Sequence, residues 1–325
     1  MILAKAIALI IVGFVMLIKG ADFLVNGASS LAKRYNVSDI AIGLTVVAMG
    51  TSAPELVVNI ISGSGGHSDV VFGNIIGSNI FNMFLILGVS SVIYPLTVQK
   101  NALWKEVPYS LVATIVLFFL VNDSFIFNNS DNQLTLWDGL ILLGMFCGFL
   151  FYVFKNMQRT GDLGGDMDEI EMYGSLRTTI MILIGIGGLA FGGQLIVDNA
   201  IEVATIFEVS EKVIGLTILA AGTSLPELAT TAVAAFHKKS DLAVGNIVGS
   251  NIFNILLVLG ATAVVNSPIH YDPDLNIDLI IVMIGTFMLF IFMFTLQKYK
   301  LDRAEGGLYL LGFVAYLIFL FFNRF

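Results

Sequence analysis

The chain has 325 residues, of which 57% are hydrophobic and only 12% charged, with a mean hydropathy of +0.90. A soluble domain carries about 25% charged residues, so a soluble globular protein is excluded. The long apolar runs also differ from the ~10-residue alternating strands of a membrane β-barrel. The net charge of −8 is not matched by any basic run suited to nucleic acid, and the single cysteine, Cys147, rules out an intramolecular disulfide or a thiolate metal cluster.

Apolar runs between polar or Gly/Pro punctuation predict ten transmembrane helices. They fall near 4–32, 38–62, 69–95, 104–121, 135–155, 176–204, 210–236, 241–265, 276–297 and 305–323. The expected fold is an all-α polytopic membrane protein. The second span contains Gly50-Thr51-Ser52-Ala53-Pro54-Glu55, which recurs as Gly222-Thr223-Ser224-Leu225-Pro226-Glu227 in the seventh, 172 residues later. The same offset carries Gly73-Asn74-Ile75-Ile76-Gly77-Ser78-Asn79-Ile80-Phe81-Asn82 onto residues 245–254 with nine of ten positions identical. Gly20, Val25 and Ala28 map likewise onto Gly192, Val197 and Ala200. The first apolar run therefore belongs to the repeat and is expected to be retained rather than cleaved as a signal peptide.

The offset divides the chain into a five-helix repeat at 1–155, an acidic linker at 156–174 and a second five-helix repeat at 175–325. The linker holds Asp162, Asp166, Asp168, Glu169 and Glu171. Asp272, Asp274 and Asp278 form a second acidic group, read as another loop. Five spans per half force the second half to enter from the opposite side, which makes the repeats inverted. Charge supports this count. One side collects Lys33, Arg34, Lys100, Lys105, Lys155, Arg159, Arg177, Lys238, Lys239, Lys298, Lys300 and Arg303, and the other only Lys5, Lys212 and Arg324. Twelve against three puts the linker in the cytoplasm and both termini outside the cell membrane.

Pro54 and Pro226 cannot donate to the carbonyls of Gly50 and Gly222, so each opens its helix in mid-span. Broken backbone at that depth is tolerated where it meets protein or a hydrated cavity, and a bound cation would satisfy the freed oxygens. Glu55 and Glu227 follow the breaks directly, and intramembrane carboxylates are functional candidates by default. Together they carry the charge to neutralise one divalent ion in a hard-oxygen environment suited to Ca²⁺. Ser78 with Asn82, and Ser250 with Asn254, share a helical face that can supply neutral oxygens. Gly73 and Gly77 beside that face permit a close helix approach. Taken singly, a proline kink, a glycine spacing or a membrane glutamate is commonly structural. Their joint recurrence in both halves favours one shared site.

Other polar residues favour plainer roles. Asp22 and Asp198 read as capping or gating groups near the far ends of their spans. The linker acids lack the spacing of an EF-hand. His67, His237 and His270 lie in loops without a partner at ligand spacing, and no nucleophile–base set suggests an enzyme.

At its paired motifs the chain resembles the sodium/calcium exchanger family, within the cation/calcium exchanger superfamily, and the likeness extends over the whole chain through the five-plus-five layout. The resemblance implies four cation positions at mid-membrane. Glu55 and Glu227 would be the central ligands, with the carbonyls of Thr51 and Thr223. The Ser52 and Ser224 hydroxyls, the carbonyls of Ala48 and Ala220, and Ser78 and Ser250 would complete the outer positions, while Asn82 and Asn254 line the centre. It further implies antiport of Na⁺, usually three, for one Ca²⁺, with the first and sixth helices sliding to alternate access. Na⁺ and Ca²⁺ are then substrates, the lipid bilayer the surroundings, and neither a cofactor nor an obligate protein partner is expected. Asn254 stands where potassium-dependent relatives carry Asp, which argues against K⁺. The proton/calcium branch has Gly-Asn-Ala in place of Gly-Thr-Ser, which makes H⁺/Ca²⁺ antiport the alternative rather than the first reading.

Overall fold

The computed structural model describes residues 2–124, 131–156, 172–206 and 220–324. Its helices are α1 Ile2–Tyr35, α2 Asp39–Thr51, α3 Ala53–Ser64, α4 Ser68–Ile93, α5 Lys100–Val121 and α6 Leu136–Lys155. They continue as α7 Ser175–Ile206, α8 Ala220–Thr223, α9 Leu225–Phe236, α10 Ser240–Asn266, α11 Asn276–Phe292 and α12 Arg303–Arg324. Among the described residues, eight helices are long and apolar enough to cross a membrane, and α2 with α3 makes a ninth span bent by 46°. The start of the expected span at 210–236 lies outside the described residues, as do all five named linker acids.

Burial separates the helices into layers. The most apolar windows of α4 and α10 are 72% and 83% buried, against 28% for α1 and 17% for α12. The two Asn-rich helices therefore form the centre, although their polar content is high for a membrane interior. Gly245 and Gly249 explain how α2 reaches α10. A Cβ on Gly245 would stand 2.7 Å from the Ile40 carbonyl, and one on Gly249 would stand 2.8 Å from the Ala48 Cβ. Side-chain-free surfaces let the backbones meet closely. The corresponding approach to Gly73 and Gly77 is not seen, because by the repeat it involves residues outside the described set.

On the outside, α1 and α7 pack against each other. A Cβ on Gly13, Gly20, Gly185 or Gly192 would come within 2.9 Å of the opposite helix. Ile11, Val15 and Ile18 on α1, with Leu183, Ile184 and Phe191 on α7, are exposed to the apolar surroundings.

Three features depart from the sequence-based expectations. α11 ends at Phe292 rather than 297, because Tyr299 N–H reaches back to the Met293 carbonyl at 2.8 Å and the Thr295 hydroxyl takes the Phe292 carbonyl. Two short antiparallel ladders also join loops, with β1 Leu96–Thr97 pairing β4 Lys300–Leu301 and β2 Gln133–Leu134 pairing β3 Ile269–His270. Asp278, read with its neighbours as a loop acid, lies in the first turn of α11, is buried, and accepts a hydrogen bond from Tyr316 at 3.0 Å.

Candidate functional site

Ser52 and Ser224 are the hinges of the two breaks. Their backbone angles, φ −86° ψ 6° and φ −90° ψ 4°, are nearly the same, and each leaves its Pro within the first turn of the following helix. Proline is well tolerated at such a start, where its missing N–H has no helical partner to lose. Glu55 and Glu227 then occupy the first turns of α3 and α9. A carboxylate or bound anion is favoured at a helix N-terminus, so the break both exposes backbone and steadies the acid beside it.

The facing walls come from α4 and α10. Each widens into a π-helical turn, at Phe81–Ile86 and Phe253–Leu259, whose first residues are 172 apart. Such turns concentrate at functional sites because the extra residue per turn re-aims side chains. Asn82 and Asn254 each stand at the second position of one.

Hydrogen bonds across the two halves repeat with the offset. Thr51 Oγ1 lies 3.3 Å from Asn246 Oδ1, and Thr223 Oγ1 lies 3.1 Å from Asn74 Oδ1. Asn82 Nδ2 donates to Asn251 Oδ1 at 2.9 Å, and Asn254 Nδ2 donates to Asn79 Oδ1 at 3.0 Å. Asn74 in turn donates to Asn59, and Asn246 to Thr231. One pair breaks the symmetry: Ser52 Oγ donates to Glu227 Oε1 at 3.0 Å, whereas Ser224 Oγ donates to Ser78 Oγ at 3.0 Å.

These contacts leave a specific set of buried oxygens without hydrogen-bond partners. Both carboxylate oxygens of Glu55, Oε2 of Glu227, Oδ1 of Asn82, Oδ1 of Asn254 and Oγ of Ser250 are all in it. Buried acceptors normally find donors. Here the amide hydrogens of Asn82 and Asn254 are turned away toward Asn251 and Asn79, which leaves their oxygens free. Thr223 borders Glu55, and Ser250 borders Glu227. Unpartnered acceptors around two like charges fit a cation and are unfavourable without one.

Hydrogen bonds join Ser52 to Glu227 and Ser224 to Ser78 across the halves, and Thr51, Glu55, Asn82, Thr223, Ser250 and Asn254 are likewise buried and drawn from both halves. The Ala48 carbonyl accepts from Ser52 N–H at 2.9 Å and from the Thr51 hydroxyl. Ala220 begins α8, on the strand of chain that leads into the second break. Among the described residues no cluster of three or more His, Cys, Asp or Glu could hold a metal, so any ion here relies mainly on neutral oxygens. Sequence reading missed Asn59, Asn74, Asn79, Thr231, Asn246 and Asn251 as supports. Their signal was present, because four of the six stand inside the repeated Gly-Asn motifs.

A cleft of about 130 Å³ reaches the site from one side and is lined by Pro54, Val58, Gly193, Val197, Asp198 and Thr223, among others. Thr223 joins the two spaces, lining the cleft and bordering Glu55. Among the described residues the opposite side is more deeply buried. The repeat counterparts of Val58, Gly193, Val197 and Thr223 are Thr230, Ala21, Val25 and Thr51, and each is 0% exposed.

Fold and site together define a polytopic helical membrane protein with a buried cluster of polar oxygens drawn from both halves. The sodium/calcium exchanger protein family model matches residues 5–155 and 177–322. The chain is similar to the putative antiporter CaxA of Alkalimonas amylolytica, with 35% identity over 96% of this chain and 97% of the relative. It is also similar to the sodium/calcium exchanger MaX1 of Methanosarcina acetivorans, with 29% identity over 97% and 98%. Among solved structures it resembles the sodium-calcium exchanger NCX_Mj soaked with Na⁺ and Ca²⁺, at a TM-score of 0.83 and 29% identity over 97% of this chain and 98% of that one. The chain belongs to the sodium/calcium exchanger family. It is a membrane-embedded cation/Ca²⁺ antiporter and not an enzyme.

Proposed function

We propose that the chain exchanges several Na⁺, three in the simplest scheme, for one Ca²⁺ by alternating access at the pocket between its halves. The observation that carries this reading is the set of unpartnered buried oxygens on Glu55, Glu227, Asn82, Asn254 and Ser250. One Ca²⁺ neutralises both glutamates, as several Na⁺ also do, so filling with one species expels the other. The pocket reorients only when its charge is balanced, because moving bare carboxylates through a low-dielectric interior is unfavourable.

In this scheme Ser52, Ser224, Ser78 and the carbonyls of Ala48, Ala220, Thr51 and Thr223 complete the ion positions around the two acids. Residues 1–155 and 175–325 act as inverted repeats about the linker at 156–174, a reading supported by the hydrogen bonds that recur at the 172-residue offset. The positive-inside bias puts both termini outside, so the open cleft faces outward.

The test is uptake of radiolabelled Ca²⁺ by purified protein in liposomes loaded with Na⁺, with K⁺, or at acid pH. Uptake is expected with internal Na⁺ alone. Uptake driven by an acid interior and not by Na⁺ would replace this reading with H⁺/Ca²⁺ exchange, and flux needing no counter-ion would indicate a channel.

A further inference from the structure

On the more deeply buried side, side chains from the turn between α9 and α10 reach the outer helix α1. His237 Nε2 lies 2.7 Å from Asp22 Oδ1 on α1, and Lys239 Nζ lies 3.3 Å from Asn26 Oδ1, one helical turn further along. Burial pushes the Lys239 ammonium below its ordinary range, while Asp39 and then Asp22 act in the opposite direction. Basic groups on the turn therefore clamp acceptors on the outer helix.

The repeat maps these four positions onto the open side. Asp22 and Asn26 correspond to Gln194 and Asp198 on α7, while His237 and Lys239 correspond to Gly65 and His67 in the turn between α3 and α4. Each side thus has an acid on its outer helix, Asp22 on α1 and Asp198 on α7 (which also carries Glu202), and one histidine on its turn. The acid is displaced by a single helical turn, and the histidine by two residues. On the open side Asp198 instead accepts from Gln194 Nε2 at 2.7 Å and lines the cleft, and His67 is exposed. Inverted halves reach the opposite-facing state by exchanging their conformations. In that state α7 closes on the α3–α4 turn as α1 now closes on the α9–α10 turn.

We propose that Asp198 and His67 are a positioning pair that meets only in the opposite-facing state and seals the cleft, and that the Asp22–His237 pair releases as it forms. The proposal rests on the alternating-access reading above. It assigns to this chain two interchangeable acid–histidine latches acting on the access step, separate from the ion ligands. The smooth glycine contact between α1 and α7 lets the outer pair shift as a unit without disturbing the Asn-rich centre.

Cross-linking in a Cys147→Ala background, which removes the exposed native thiol, tests it. The Asp22→Cys/His237→Cys pair is expected to cross-link with a short cleavable bis-thiol reagent in resting protein. The His67→Cys/Asp198→Cys pair is expected to cross-link only during Na⁺-driven Ca²⁺ exchange, stopping flux until the linker is cleaved. Failure of the second pair to cross-link during turnover, or cross-linking that leaves flux intact, overturns the proposal. A second measurement separates gating from simple structural damage. Asp198→Asn is expected to tighten apparent Ca²⁺ affinity on the cleft side and weaken it on the other, by up to about threefold, with Asp22→Asn doing the reverse. Shifts of one sign on both faces count against the latches. A background protein without Na⁺-dependent flux, or a Glu55→Gln variant that keeps it, instead removes the transport reading and the latches with it.

Discussion

Among the proposed ligands, Glu55 and Glu227 supply the formal charge and the others are neutral oxygens. Replacing either by Gln keeps the shape but leaves a divalent ion half-neutralised. Glu55→Gln and Glu227→Gln are each expected to lower Na⁺-driven Ca²⁺ uptake at least ~100-fold, about 2.7 kcal/mol of lost stabilisation. Both should also lose the rise in melting temperature that Ca²⁺ confers on the parent protein. Asn79 and Asn251 act one step further out, each fixing the amide of the asparagine across the halves so that its oxygen stays free. Asn79→Ala and Asn251→Ala are expected to weaken apparent Ca²⁺ affinity by ~10-fold, as loss of an orienting partner does, with turnover at saturating Ca²⁺ largely retained. Kinetics over a Ca²⁺ titration measure both quantities. The glutamates were legible from sequence because a charge in an apolar span stands out. The repeated motifs contain the orienting asparagines but not their role, because their partners lie 169 and 175 residues away, and helical periodicity reports only neighbours on one helix.

At the scale of elements, the two breaks position the acids. Pro54 and Pro226 sit just beyond the hinge serines, so an N–H at either place would let the preceding helix run on into the next. Pro54→Ala and Pro226→Ala are expected to leave folding intact, with thermal stability unchanged or raised, while exchange falls ~10- to 100-fold as ligands leave their productive geometry. A melting curve beside a flux assay separates the two effects. A parallel fall in both would show that the prolines serve the fold rather than the site. Gly-Thr-Ser-x-Pro-Glu announces these breaks by its own chemistry, which is why they could be read directly. The early end of α11 could not. Met293 and Phe294 continue the apolar run, and the helix stops because Thr295 also donates to Glu305 and Tyr299 folds back to lead into the ladder with Leu96–Thr97. The π-helical turns at Asn82 and Asn254 were hidden for a similar reason. Their residues continue the apolar run with nothing in the local sequence to mark the widening.

Across the whole molecule, the proposed arrangement of inverted halves around one shared pocket would turn a local charge balance into a vectorial quantity. A two-carboxylate pocket returns empty only unfavourably, so each half-cycle carries ions, and the net charge moved per cycle is set by how many Na⁺ replace one Ca²⁺. Three for one moves one positive charge in the direction of Na⁺, whereas two for one moves none. Moving one charge through 100 mV is worth about 2.3 kcal/mol, or ~50-fold in the Ca²⁺ ratio at which net flux stops. In liposomes loaded with Na⁺, Ca²⁺ enters as Na⁺ leaves, so positive charge moves outward. A clamped inside-positive potential is therefore expected to speed uptake and raise the final internal Ca²⁺, and an inside-negative potential of equal size to slow and lower it. Accumulation measured with radiolabelled Ca²⁺ at several imposed K⁺ diffusion potentials gives the slope. A slope near one charge per cycle fits three Na⁺, and a flat line would falsify that stoichiometry while leaving the pocket and its two glutamates in place.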